Sequence, residues 1–210
     1  MAANTAIIAL STLAFCAATA LLIGAYKAHK VLQNQTSAVF LASFSLIATG
    51  LLLQLVVETY PSITIQTIQT IQALTGVMIG SNLLLILSSL LILSAYMLLL
   101  LAAEKIQNNA MRILSATTVV LAVIIGSQLY AVTHLTAAIL TSLLAYRFYK
   151  NFLVKNSTNA LIVYLAFLCL LIGHTAALFS QISLVANYIF YSLQLIGYFA
   201  LFYMLWRVRQ

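Results

Sequence analysis

The apolar positions of this chain come in long uncharged blocks, and the charged positions stand between them. A helix needs about 20 mostly apolar residues to cross a hydrocarbon core about 30 Å thick, so each block predicts a membrane-crossing helix. Blocks at about 4–26, 37–57, 77–103, 158–180 and 186–206 reach that length directly. Pro61, just beyond Glu58, stands where the second helix has stopped. Between Arg112 and Arg147, 34 residues carry no formal charge. One helix of that length would extend about 50 Å, too far for a single crossing. The polar stretch Gly126 to His134, holding Ser127, Gln128 and Thr133, predicts a turn. Spans four and five then occupy about 112–128 and 131–149, His134 falls at the turn, and the fold expected is an all-α bundle of seven transmembrane helices.

Charge placement gives the sidedness. Lys27 and Lys30, Lys105 and Arg112, then Arg147, Lys150 and Lys155, and finally Arg207 and Arg209 are the nine basic residues. With seven spans they all lie on one face, and the other carries Glu58 alone. Short loops rich in Lys and Arg stay in the cytoplasm, so the N-terminus is expected outside and the C-terminus inside. A single crossing of the long uncharged stretch would scatter the basic residues over both faces. Ala18-Thr19-Ala20 resembles a signal cleavage site, yet Lys27 and Lys30 follow the apolar run instead of preceding it, so the first span is expected to be retained.

Composition agrees with a lipid environment. Of 210 residues, 64% are hydrophobic and 5% charged, against about 25% charged in a soluble domain. One domain is expected, residues 1–210, in the cell membrane, with the lipid bilayer and other membrane subunits as its partner classes. The net charge of +7 sits in the loops and forms no long basic run, which excludes nucleic acid. Cys16 and Cys169 lie in apolar segments and read as small buried residues. The triplets Thr64-Ile65-Gln66, Thr67-Ile68-Gln69 and Thr70-Ile71-Gln72 repeat with a period of three, which does not hold one helix face. The segment from Ser62 to Gly76 therefore reads either as an outer-surface helix extending span three or as an ordered outer loop.

Polar residues inside the spans fall at helical spacing. Ser43, Gly50, Gln54 and Glu58 share a face of span two; Asn82, Ser89 and Tyr96 share one of span three; His174 and Gln181 share one of span six; Asn187, Tyr191, Gln194 and Tyr198 share one of span seven. Unsatisfied polar groups in hydrocarbon cost several kcal/mol, so these faces point into the bundle. Alternating helix direction puts Gln54, Glu58, Asn82, His134, His174, Asn187, Tyr191 and Gln194 in the outer half, where they would line an outward-facing cup. The plainer alternative is a hydrogen-bond network that holds helices together, such contacts averaging about 0.6 kcal/mol. Glu58 either ends span two at the headgroups or pairs with His134 or His174. Two histidines on neighbouring spans are also the donor types of a haem, although no ligand spacing supports one.

Other features are structural. Gly76 and Gly80, Ala14 and Ala18, and Ala20 and Gly24 are small pairs that let helices approach. The sequons at Asn34 and Asn156 fall on the cytoplasmic side and should be unused. Aspartate is absent, span seven has no lysine before Arg207, and no G-x-S-x-G or H-E-x-x-H occurs. These absences leave metal hydrolases, retinal proteins and acyl-transfer enzymes without their residues. With one proline, the repeated Pro-Gln pairs of small sugar transporters are missing as well.

The stretch Leu165-Ala-Phe-Leu-Cys-Leu-Leu-Ile-Gly-His174, then Tyr191-Ser-Leu-Gln-Leu-Ile-Gly-Tyr198 and Trp206-Arg-Val-Arg209, resembles the last two spans of small uncharacterised seven-span membrane proteins of archaea. The resemblance implies an origin and a topology, and no activity or site residue. The function expected is that of a non-enzymatic membrane module, either a subunit of a larger complex or a receptor-like sensor with an outward cup. A haem- or quinone-associated redox subunit and a small-solute transporter or channel are the alternatives.

Overall fold

A computed structural model of the chain describes residues 2–59, 83–104, 109–126, 130–180 and 182–207. The helices are α1 (Ala2–Leu32), α2 (Gln35–Thr59), α3 (Leu83–Ala103), α4 (Asn109–Gly126), α5 (Tyr130–Lys155), α6 (Thr158–Ala177) and α7 (Leu184–Arg207). Among the described residues there is no strand. Six of these helices are long and apolar enough to cross a membrane, while the apolar part of α4, Ile113–Ile125, is shorter. The Ser62–Gly76 repeat, Pro61, Gly76 with Gly80, Asn82 and Gln181 lie outside the described residues.

Helix ends depart from the charge-based boundaries in a consistent way. α1 runs through Lys27 and Lys30 to Leu32, and α5 runs through Arg147 and Lys150 to Lys155. A charge ends the hydrocarbon stretch but not the backbone ladder, because a long basic side chain reaches the headgroups from a helix that continues. α6 instead stops early, at Ala177, where Leu178, Phe179 and Ser180 each donate to a carbonyl three residues back and wind the chain into a tighter turn.

Two hairpins at the basic end share one design. Gln33 (φ 46) and Asn156 (φ 45) take the left-handed conformation, and their N–H groups close the preceding helices on His29 O and Phe152 O. The next residue then caps the following helix. Asn34 Oδ1 accepts from Ser37 N–H at 2.8 Å, and Ser157 Oγ accepts from Ala160 N–H at 3.3 Å. Both sequons thus sit at turns whose asparagines shape the backbone.

The helices form a closed ring. α1 packs on α2, α2 on α3, α3 on α5, α5 on α6, α6 on α7, and α7 returns to α1; α4 packs on α3 and α5 from outside. Most ring neighbours are antiparallel, but α3 and α5 are parallel, since Arg147 Nε near the end of α5 donates to Ala103 O at the end of α3 at 3.2 Å. α1 and α7 are parallel too: a Cβ on Gly24 would lie 3.5 Å from Leu205 Cδ1. The chain therefore leaves α3 at the basic end and enters α5 at the far end, and α4 carries it back along the bundle. Exposed Tyr26, Tyr146, Tyr149, Tyr203 and Trp206 gather at the basic end, the placement of an interfacial aromatic belt.

Candidate functional site

Near the far end the ring encloses a cavity of about 60 Å³. Gln54, Ser88, Ser89, Thr133, His134, His174 and Gln194 supply its polar wall, and Leu85, Ile92, Leu93, Ala137 and Phe190 its apolar wall. Sterics bring these helices close. A Cβ on Gly50 would stand 2.7 Å from Ile92 Cγ1 and 3.1 Å from Ser88 O, and Ser88 Oγ donates to Gly50 O at 2.8 Å. α2 and α3 approach this closely because position 50 has no side chain.

Two hydrogen-bonded clusters border the cavity. In the first, His134 Nδ1 lies 3.2 Å from His174 Nδ1, His174 Nε2 lies 3.2 Å from the Tyr96 hydroxyl, and Tyr96 lies 3.0 Å from the Tyr198 hydroxyl. Gln194 reaches Tyr198 as well. Phe190 sets its ring edge-on to His134, with centroids 5.2 Å apart. In the second, Gln54 Nε2 donates to Glu58 Oε1 and to the Tyr191 oxygen, each at 3.1 Å, and the Tyr191 hydroxyl donates to Glu58 Oε1. Ser11 of α1 stands beside the same carboxyl. Beyond Tyr96 and Tyr198 the interior is closed by buried Leu21, Leu99, Leu144 and Leu201.

Two acceptors are left over. Among the described residues, Gln194 Oε1 and Glu58 Oε2 are buried without a hydrogen-bond partner. Gln194 is 2% exposed and lines the cavity. A buried amide oxygen without a partner costs about 1–3 kcal/mol, so this position favours a guest that donates a hydrogen bond.

Of the eight residues expected to line a cup, Gln54, His134, His174 and Gln194 meet at the cavity, and Glu58 and Tyr191 join through Gln54. Asn187 does not; its Nδ2 donates to Ser180 O at 3.4 Å and ties α7 to the preceding turn. Asn82 lies outside the described residues. His134 belongs to the first turns of α5 and not to the turn between spans four and five, since the helix already starts at Tyr130 and takes in Thr133 and His134. Among the described residues, Glu58 is taken up by Tyr191 and Gln54 and not by either histidine.

Tyr96 and Tyr198 also reach the histidines, although they are not among the eight residues expected to line the cup. Their positions lie deep along α3 and α7, but helical side chains lean toward the helix N-terminus, and both helices begin at the far end. The hydroxyls are thereby carried up to the histidines. The signal was the seven-residue spacing from Ser89 to Tyr96 and from Tyr191 to Tyr198.

The histidine pair does not fit a haem. A metal between the two Nδ1 atoms would hold them about 4 Å apart, twice a metal–imidazole bond of about 2.0 Å, whereas they contact each other at 3.2 Å. A cavity of about 60 Å³ has room for a few waters and not for a porphyrin. Among the described residues, no three His, Cys, Asp or Glu side chains gather as a metal set. No family model, no curated protein and no solved structure matches the chain, so its own geometry carries the functional reading.

Proposed function

We propose that this chain is a non-enzymatic protein of the cell membrane, crossing it seven times with its N-terminus outside, and that its far-end chamber takes a small polar solute that donates hydrogen bonds. The observation that carries the solute reading is Gln194: a buried amide oxygen without a partner among the described residues, set at a cavity that Gln54, His134 and His174 also line. The layer of buried leucines beyond the tyrosines favours an outward cup over an open pore. Seven crossings are supported by the parallel pair α3 and α5, because parallel neighbours need a return across the bilayer. α4 has 18 residues, about 27 Å of helix at about 1.5 Å per residue, close to the core thickness of about 30 Å.

Two measurements test the reading. Reporter tags on the two ends should fall on opposite sides of the membrane, the C-terminal tag inside; both on one side would end the seven-span reading. In mild detergent, thermal unfolding with ammonium, methylammonium or urea should rise by mass action for at least one of them. Gln194→Leu should remove that rise. An equal response of the two proteins, or none from the native chain, would end the solute reading.

A further inference from the structure

The ring is built twice from one pattern. Adding 123 to a residue number in α1 or α2 gives a counterpart in α5 or α6, and adding 102 carries α3 onto α7. The shared hairpin falls in register: Gln33 meets Asn156, both left-handed, and Asn34 meets Ser157, both caps. Identical residues recur at Ala14 and Ala137, Leu21 and Leu144, Tyr26 and Tyr149, Lys27 and Lys150, Phe44 and Phe167, and Gly50 and Gly173. In the third helix of each set, Tyr96 meets Tyr198 and Leu99 meets Leu201.

Packing repeats with the sequence. Leu21 and Leu144 are both 0% exposed, as are Ala18 and Thr141, and Tyr96 and Tyr198. A Cβ on Gly50 would meet Ser88 O, and one on Gly173 would meet Phe190 O, which is the counterpart of Ser88. The order of neighbours repeats too: α1–α2–α3 then α5, and α5–α6–α7 then α1. Arg147 on Ala103 and Gly24 beside Leu205 are equivalent junctions between the two sets.

The chamber lies between these two units. Gln54 and Ser88 come from the first, and His134, His174 and Gln194 from the second. The Tyr96 and Tyr198 hydroxyls, one from each, meet at 3.0 Å. The match fails where the chamber needs chemistry: His134 stands opposite Ser11, His174 opposite Leu51, and Gln194 opposite Ile92. A duplicated frame with a polar site between its two copies is the plan of carriers whose halves rock around that site. We propose that α1–α3 and α5–α7 are two copies of one unit, with α4 as their connector, and that they rock about the chamber to carry its solute across the membrane. This rests on the chamber taking a solute, as above, and adds that it opens to each face in turn.

Thiol accessibility tests the proposal on the full chain in sealed vesicles. In a Cys16→Ala, Cys169→Ala background, single cysteines replace Gln54, Leu99 or Leu201, and a membrane-impermeant trimethylammonium methanethiosulfonate is applied to one face at a time. Rocking predicts loss of the free thiol at 54 from the N-terminal face, and at both 99 and 201 from the Arg207 face. Protection at 99 and 201 from either reagent direction, or reaction at one and not its counterpart, overturns the carrier. A chamber that still binds solute in that case is a dead-end receptor, so the two proposals fail separately. Where a leucine replacement does not yield folded protein, spin labels on the exposed equivalents Lys27 and Lys150 decide by electron-resonance distances. Two populations support rocking, and one narrow population overturns it.

Discussion

His134 and His174 meet through like atoms, Nδ1 to Nδ1 at 3.2 Å, and His174 continues through Nε2 to Tyr96. A neutral imidazole has one donor and one acceptor. If His134 donates, His174 must accept at Nδ1 and donate from Nε2 to the tyrosine. If His174 donates at Nδ1, its Nε2 must accept the tyrosine proton, and His134 carries its proton on Nε2. Both arrangements require opposite tautomers, so ¹⁵N spectra of histidine-labelled protein should show one Nδ1–H and one Nε2–H ring for this pair. Two rings of the same tautomer would contradict the contact.

Tyr96 is the hub of this chain, with a histidine and a tyrosine on one hydroxyl. Tyr96→Phe removes two buried hydrogen bonds and leaves His174 Nε2 without its partner, and should cost about 1–2 kcal/mol, the upper part of the range for interhelical hydrogen bonds. Tyr198→Phe loses the Tyr96 bond and the Gln194 contact but leaves Tyr96 on His174, and should cost less. Unfolding in detergent mixtures measures the difference, and equal losses would mean that the two hydroxyls are not ranked as described.

Glycines at helix crossings should respond to a single methyl group in a set order. Gly50→Ala and Gly197→Ala place a Cβ within 3.1 Å of Ser88 O and Ala166 O respectively, and forced separation of the helices should cost about 1–3 kcal/mol. Gly24→Ala, whose nearest neighbour would be Leu205 at 3.5 Å, should be close to neutral. Thermal midpoints of the three variants check the order.

The two hairpin caps should behave alike. Asn34→Ala and Ser157→Ala each remove an acceptor from a helix N-terminus and should each cost about 1 kcal/mol. A loss confined to one hairpin, read by the same unfolding assay, would show that the turns differ in weight.

Much of the architecture was legible in the chain because hydrocarbon tolerates few sequences: uncharged length marks helices, and the run of Lys and Arg at alternate boundaries marks one end of the bundle. The chamber was legible in part. Gln54, His174 and Gln194 followed from helical spacing, since a polar residue in an apolar block has to face inward. Tyr96 was not legible because sequence position gives the depth of a Cα, while a tyrosine hydroxyl sits more than a turn away from it. The duplication escaped because identities such as Phe44 with Phe167 are spread thinly and need two different offsets. Burial at Leu21 and Leu144, or Leu99 and Leu201, reveals what residue type alone conceals.

Closure of the ring by α1 against α7 orders the protein's birth. α1 leaves the ribosome ahead of α2 to α7 and meets its second neighbour, α7, only when that helix has been made, so Ser11 and Glu58 wait for Tyr191 while α3 to α6 are synthesised. Until then the flank around Gly24 faces lipid, and an interrupted chain carries that open seam as a mark of its incompleteness.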